Sequence, residues 1–195
     1  MTRIAAAVAL LLGVIAVFFN FSCGVTIPEQ ASVVAGTGAE VQGRFDGACT
    51  HHNSDASLVK NSKVGLDPGS ISLLSWNSQK GRHDAFGADF TRLEQGIDLV
   101  LLQEAVIDET LKNRLQLSGR QWNMAIAFEL DQTEVGLLSA SGASPVSACA
   151  DRVPEPLLVL PKTILVTTYP LAGMSEELLV VNVHMVNFTL TSEAL

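Results

Sequence analysis

The run IDLVLLQ, residues 97–103, limits the possible folds most. It is almost continuously apolar, as in a strand covered on both faces. It also closes a strand–helix–strand unit. Ile71–Trp76 is an apolar strand, Phe90, Leu93 and Ile97 recur at helical spacing, and the buried run follows. Such a unit places its two strands side by side and parallel, through a right-handed crossover. The ends of both strands then share one sheet edge. Asn77 ends the first strand and Glu104 follows the second, so the two are expected as neighbours. Ligands of open α/β sheets bind at that edge.

The remaining pattern is strand-rich. Ile107, Leu111 and Leu115 mark a second helix. WNMAIAF and EVGLLSA are strands, and KTILVTTY and ELLVVNVH form a hairpin across the linker PLAGMSE. The order predicts an α/β fold with a mixed sheet. Hydrophobic residues make up 48% of 195, enough for one sizeable core.

Ahead of that domain, Ile4–Phe19 is apolar behind Arg3 and reads as an export signal or membrane anchor over residues 1–24. Cys23 is a candidate for lipidation. Residues 25–69 are rich in Gly, Ser, Asp and Thr and read as a flexible tether. His51 and His52 lie within it. This implies the periplasmic side of a cell envelope, with membrane attachment through the N-terminus. Cys49 and Cys149 then either pair as a disulfide or remain two buried thiols.

Four polar side chains stand out against apolar strands. Glu104, directly after a buried strand, needs solvent, a partner or a metal ion. Asn182 and His184 share one face at the end of LLVVNVH. Lys80 follows Asn77 closely and can reach a phosphate; a solvated basic loop is the plain alternative. The net charge of −8 argues against a long basic groove for nucleic acid. The sequence has no Walker lysine loop, dinucleotide fingerprint, C-x-x-C pair or H-E-x-x-H. GLLSASGAS is not a G-x-S-x-G elbow, which argues against a serine hydrolase.

Four segments in order, ISLLSWNSQKG, DLVLLQEAV, EVGLLSASGASP and ELLVVNVHMVNF, resemble the endonuclease/exonuclease/phosphatase (DNase I-like) superfamily. The resemblance implies part of a four-layer α/β/β/α sandwich over residues 70–195, with its C-terminal half missing. It implies a divalent-metal-dependent phosphoesterase, with Glu104 and Asn77 at Mg²⁺ or Mn²⁺. His184 would hydrogen-bond the phosphate, with Asn182 supporting it. Substrates would be phosphoesters, nucleic acid or phospholipid head groups among them. The superfamily's later G-D-x-N and S-D-H motifs are absent. Little hydrolytic activity and an exposed apolar sheet face are therefore expected of this chain. The alternative is a non-catalytic envelope protein using the same fold to bind a partner.

Overall fold

The computed structural model describes residues 24–49, 65–154 and 160–185. The apolar N-terminal run, Cys23, His51 and His52 lie outside them.

The larger sheet runs β3-β2-β6-β7-β5-β4 among the described residues. Its strands are β2 (Ser32–Thr37), β3 (Glu40–Asp46), β4 (Leu73–Asn77), β5 (Leu99–Val106), β6 (Gln121–Leu130) and β7 (Thr133–Ser141). The short β1 (Val25–Thr26) pairs with the far end of β6. A second sheet, β10-β9-β8, comprises β8 (Ser147–Pro154), β9 (Pro161–Pro170) and β10 (Glu177–Val183). Two α-helices are described, α1 (Phe86–Leu93) and α2 (Glu109–Ser118). The expected unit is present: β4 and β5 are parallel, with α1 between them in sequence.

Period-2 side-chain alternation gives the larger sheet two buried faces. Val100 and Leu102 of β5, with Trp122, Met124 and Ile126 of β6, share a core with Phe86, Phe90, Leu111 and Leu115 of the helices. Their neighbours Leu99 and Leu101 pack with Tyr169 and Val180 of the second sheet. Ala125 and Leu137 pack with Ala148, Ala150 and Leu165. The near-continuous apolar run in β5 is thus explained by helices on one side and a sheet on the other. Local signals frame α2. Asp108 accepts a hydrogen bond from Leu111 N at its start (2.8 Å), and Gly119 takes a left-handed conformation at its end (φ 62°). An N-cap of this kind is worth about 1 kcal/mol.

Two expectations require correction. The four-layer α/β/β/α sandwich is replaced by a mostly β architecture, with 53% strand and 15% helix among the described residues. Much of the difference lies within the described residues 25–49, part of the stretch 25–69 expected as a flexible tether, which contain two strands of the larger sheet. β2 and β3 form a hairpin on the larger sheet, with β2 paired to β6. Val33 and Val34 are buried on opposite faces of that sheet. Within this hairpin Gly38 (φ 57°) lies in the turn between the two strands, and Gly43 lies in the edge strand β3.

Cys49 and Cys149 form a disulfide across 100 residues of sequence. It fastens the chain just beyond β3 to β8. The link runs beside an isolated bridge between Ala48 and Ala150. On the outer face of the second sheet, Leu179, Val181 and Val153 are about half exposed or more (61%, 49% and 52%) among the described residues.

Candidate functional site

Asn77, Lys80, Glu104 and His184 come together at the end of the larger sheet. Asn77 closes β4, and its register partner on β5 is Gln103. Its side-chain carbonyl accepts from Gln79 N (2.9 Å) and its amide donates to Glu104 Oε1 (3.1 Å). Lys80 Nζ donates to Glu104 Oε2 (2.7 Å). His184 Nε2 lies 3.7 Å from Glu104 Oε1. Lys162, the second residue of β9, brings Nζ within 3.1 Å of that imidazole nitrogen.

Backbone strain is concentrated here. Gln79, Lys80 and Glu104 all have positive φ (50°, 61° and 51°). Non-glycine residues adopt this region at a cost of about 1–3 kcal/mol each, and such residues cluster at functional sites. Glu104 sits in a β-bulge, where the pairing of β5 with β7 shifts between Leu102 and Ala105. A bulge breaks alternation and re-aims side chains. Here it turns Gln103 toward the second sheet and Glu104 toward Asn77 and Lys80. A second shift, between β6 and β7, falls between Ile126 and Phe128. Both bulges meet at Gly136, which pairs with Ala105 on one side and Ile126 on the other. A Cβ at Gly136 would overlap the carbonyl oxygen of Ala125.

Asn182 and Ser78 hold the bulge in place. Asn182 donates to the carbonyls of Leu102 and Leu138 (3.2 and 3.0 Å) and accepts from Gln103 Nε2 (2.7 Å). Ser78 Oγ lies 3.0 Å from the carbonyls of both Gln103 and Glu104. The expectation that Asn182 supports His184 is corrected. Its side chain is buried and crosses between the sheets, and both amide hydrogens are committed to backbone carbonyls. His184 follows the last residue of β10, and its backbone N–H donates to Thr163 O (3.1 Å). Asn182→Ala would orphan buried groups at the bulge. It is expected to cost about 2–3 kcal/mol in urea unfolding.

Burial pushes the Glu104 carboxyl up. Lys80 and Asn77 by hydrogen bonding, then Lys80 and His184 by charge, push harder and hold it below its ordinary value of 4.5. The sign follows from linkage. A depressed carboxyl stabilises the fold above its unfolded pKa, and this contribution is lost as pH falls through the folded pKa. Below about pH 4.5, the stability of the parent chain should therefore fall more steeply than that of Glu104→Gln. Thermal melts at a series of pH values check this.

Sequence reasoning missed Lys162, Ser78 and the role of Gly136. Lys162 was accessible from the hairpin register. Val183 pairs with Ile164, so the residue closing β10 meets the residues opening β9. The glycine within the apolar run EVGLLSA was a bulge signal.

A cavity of about 190 Å³ adjoins the cluster. Its lining includes the polar side chains of Lys80, Glu104, Lys162 and His184 and the apolar side chains of Phe128, Val135, Leu160 and Pro161. The cluster offers two ammonium groups and an imidazole around one carboxylate. That suits an anion with several oxygen acceptors. It does not by itself suit a divalent cation. Lys80 occupies Glu104 Oε2, and the Asn77 carbonyl is engaged by Gln79 N. No group of three or more His, Cys, Asp or Glu side chains that could hold a metal ion occurs among the described residues.

The chain resembles UPF0294 proteins. It is 32% identical over 187 residues to one from Vibrio campbellii (strain ATCC BAA-1116), covering 96% of this chain and 63% of that relative. A UPF0294 protein of Vibrio parahaemolyticus is 30% identical over 180 residues, covering 92% and 60%. One from Vibrio cholerae is 34% identical over 164 residues, covering 84% and 55%. The chain thus spans about three fifths of the length of the UPF0294 relatives that it matches. No family model matches it. No solved structure matches it. These findings correct the resemblance to the endonuclease/exonuclease/phosphatase superfamily. The hydrolase, nuclease and magnesium descriptions that rested on it lose that support. The membrane description gains none here: among the described residues, no helix is long and apolar enough to cross a membrane.

Proposed function

We propose that the Glu104 cluster handles the phosphoryl group of a phosphoester, and that the activity it serves is phosphoesterase chemistry on the periplasmic side of the cell envelope. The observation that carries this reading is the bulged, positive-φ carboxylate of Glu104, held between Asn77, Lys80 and His184. The positive φ of a non-glycine residue costs about 1–3 kcal/mol, and such strain clusters at functional sites. In this proposal, Lys80 and Lys162 attract and hold the phosphoryl oxygens. His184 hydrogen-bonds an oxygen on which charge develops. Glu104 orients Lys80 and His184, and Asn77 orients Glu104. Asn182 acts as a positioning residue through the bulge.

Mg²⁺ or Mn²⁺ belongs to the proposal only as a requirement to be measured. The described donor set does not fit such an ion alone, and no step here is drawn through one. Nucleic acid and phospholipid head groups remain proposed substrate classes, and membrane attachment through residues 1–24 a proposed arrangement. A second reading, a non-catalytic envelope binding protein, is favoured by the closed Lys80–Glu104 ion pair. Hydrolysis of a phosphodiester chromogen separates the two. It is assayed on the full gene product with and without each ion. Glu104→Gln should reduce turnover by about 100-fold or more under the phosphoesterase reading. Phosphate binding without turnover in the parent protein would favour the binding protein.

A further inference from the structure

The cavity beside Glu104 has a lining of two chemical kinds. Its charged lining is Lys80, Glu104, Lys162 and His184. Its apolar lining includes Phe128, Val135 and Leu160, which belong to one apolar cluster with Ala127 and Leu130. The double bulge creates this juxtaposition. Phe128 and Val135 pair directly beyond the register shift of β6 with β7, while Glu104 sits in the shift of β5 with β7. Inorganic phosphate would engage the charged part of the lining and leave the apolar part unused. A phosphoester bearing an apolar group would use both.

Resting on the phosphoester reading above, we infer that this pocket selects a phosphoester with a compact apolar substituent, alkyl or aryl, next to the phosphoryl group. Size supports compactness. The cavity of about 190 Å³ is smaller than the roughly 300–1,000 Å³ usual for drug-sized ligands. Charge supports the class as well. The chain carries a net −8, so the backbone of a polynucleotide meets net repulsion outside this local cluster.

The test is calorimetric titration of the purified protein with inorganic phosphate, methyl phosphate, butyl phosphate and phenyl phosphate. A buffer near pH 8 keeps all four largely dianionic, since the second pKa of a phosphate monoester is about 6 and that of inorganic phosphate also lies below the buffer pH. Burial of the substituent should make butyl and phenyl phosphate bind about tenfold more tightly than inorganic phosphate. Leu160→Asn should bring that ratio below about threefold. Phe128→Leu should reduce the preference for phenyl over butyl phosphate. Equal affinity across the four ligands would overturn this inference and leave the phosphoester reading standing. Failure of all four to bind would overturn both. If Leu160→Asn does not fold, the parent series alone decides the outcome.

Discussion

Cys149→Ser is expected to be among the most destabilising single changes to this chain, lowering the unfolding free energy by about 4–5 kcal/mol in the chain-entropy account of disulfides. The loop it opens spans 100 residues of sequence. Restriction of the unfolded chain grows with the logarithm of loop length, so a long loop gives a large effect. The bond also joins two different parts of the fold. It links the end of the β2–β3 hairpin to β8, where Ala150 N donates to Gly47 O (2.6 Å). Without it, that hairpin keeps its pairing with β6 and the burial of Val33 and Val34. Loss should therefore appear as a lower midpoint with native secondary structure retained. Urea unfolding of the parent, of Cys149→Ser and of the reduced parent measures it. Three coincident curves would contradict the account.

Gly136→Ala should cost about 3 kcal/mol or more, at the upper end of overpacking penalties. Its Cβ would collide with backbone rather than with a movable side chain, since the Ala125 carbonyl lies in its path. Relief requires β6 and β7 to separate at the level where both bulges meet. The consequence reaches the site, because the same bulging aims Glu104 at Asn77 and Lys80. A control separates this from the general cost of losing a glycine. A Cβ at Gly43 in β3 would meet no atom within 4 Å, so Gly43→Ala should shift the midpoint little. Chemical denaturation ranks the pair, and a Gly136→Ala midpoint equal to that of Gly43→Ala would refute the steric argument.

These two sites show which features can be read from sequence. Parallel pairing of β4 with β5 followed from strand–helix–strand spacing, and so did the neighbourhood of Asn77 and Glu104. The β9–β10 hairpin followed from two apolar runs and a short polar linker. The β2–β3 hairpin did not. Its strand SVVAGT is short, and its partner EVQGRFD is largely polar at an exposed edge. Polar edge strands and tethers share a composition, and only pairing with β6 distinguishes them. The destination of Asn182 was hidden for a different reason. Period 2 places it on a face with His184, but a bulge in another strand supplies its partners. The bulge breaks the period on which that inference depends. Helical layers were also overweighted, because two amphipathic helices cover one face of the larger sheet while the other face is covered by a sheet.

The central claim is that Glu104, Lys80, Lys162 and His184 form one phosphoryl-binding centre. Amide and side-chain NMR spectra during titration with phenyl phosphate test it most directly. Saturable shifts centred on Lys80, Glu104, Lys162 and His184 are expected. No matching shifts are expected around Arg120 and Asp98, which line a cavity elsewhere in the molecule. The response should also be lost in Lys80→Met. A response centred on the Arg120 cavity, or an unaltered response in Lys80→Met, would contradict the claim.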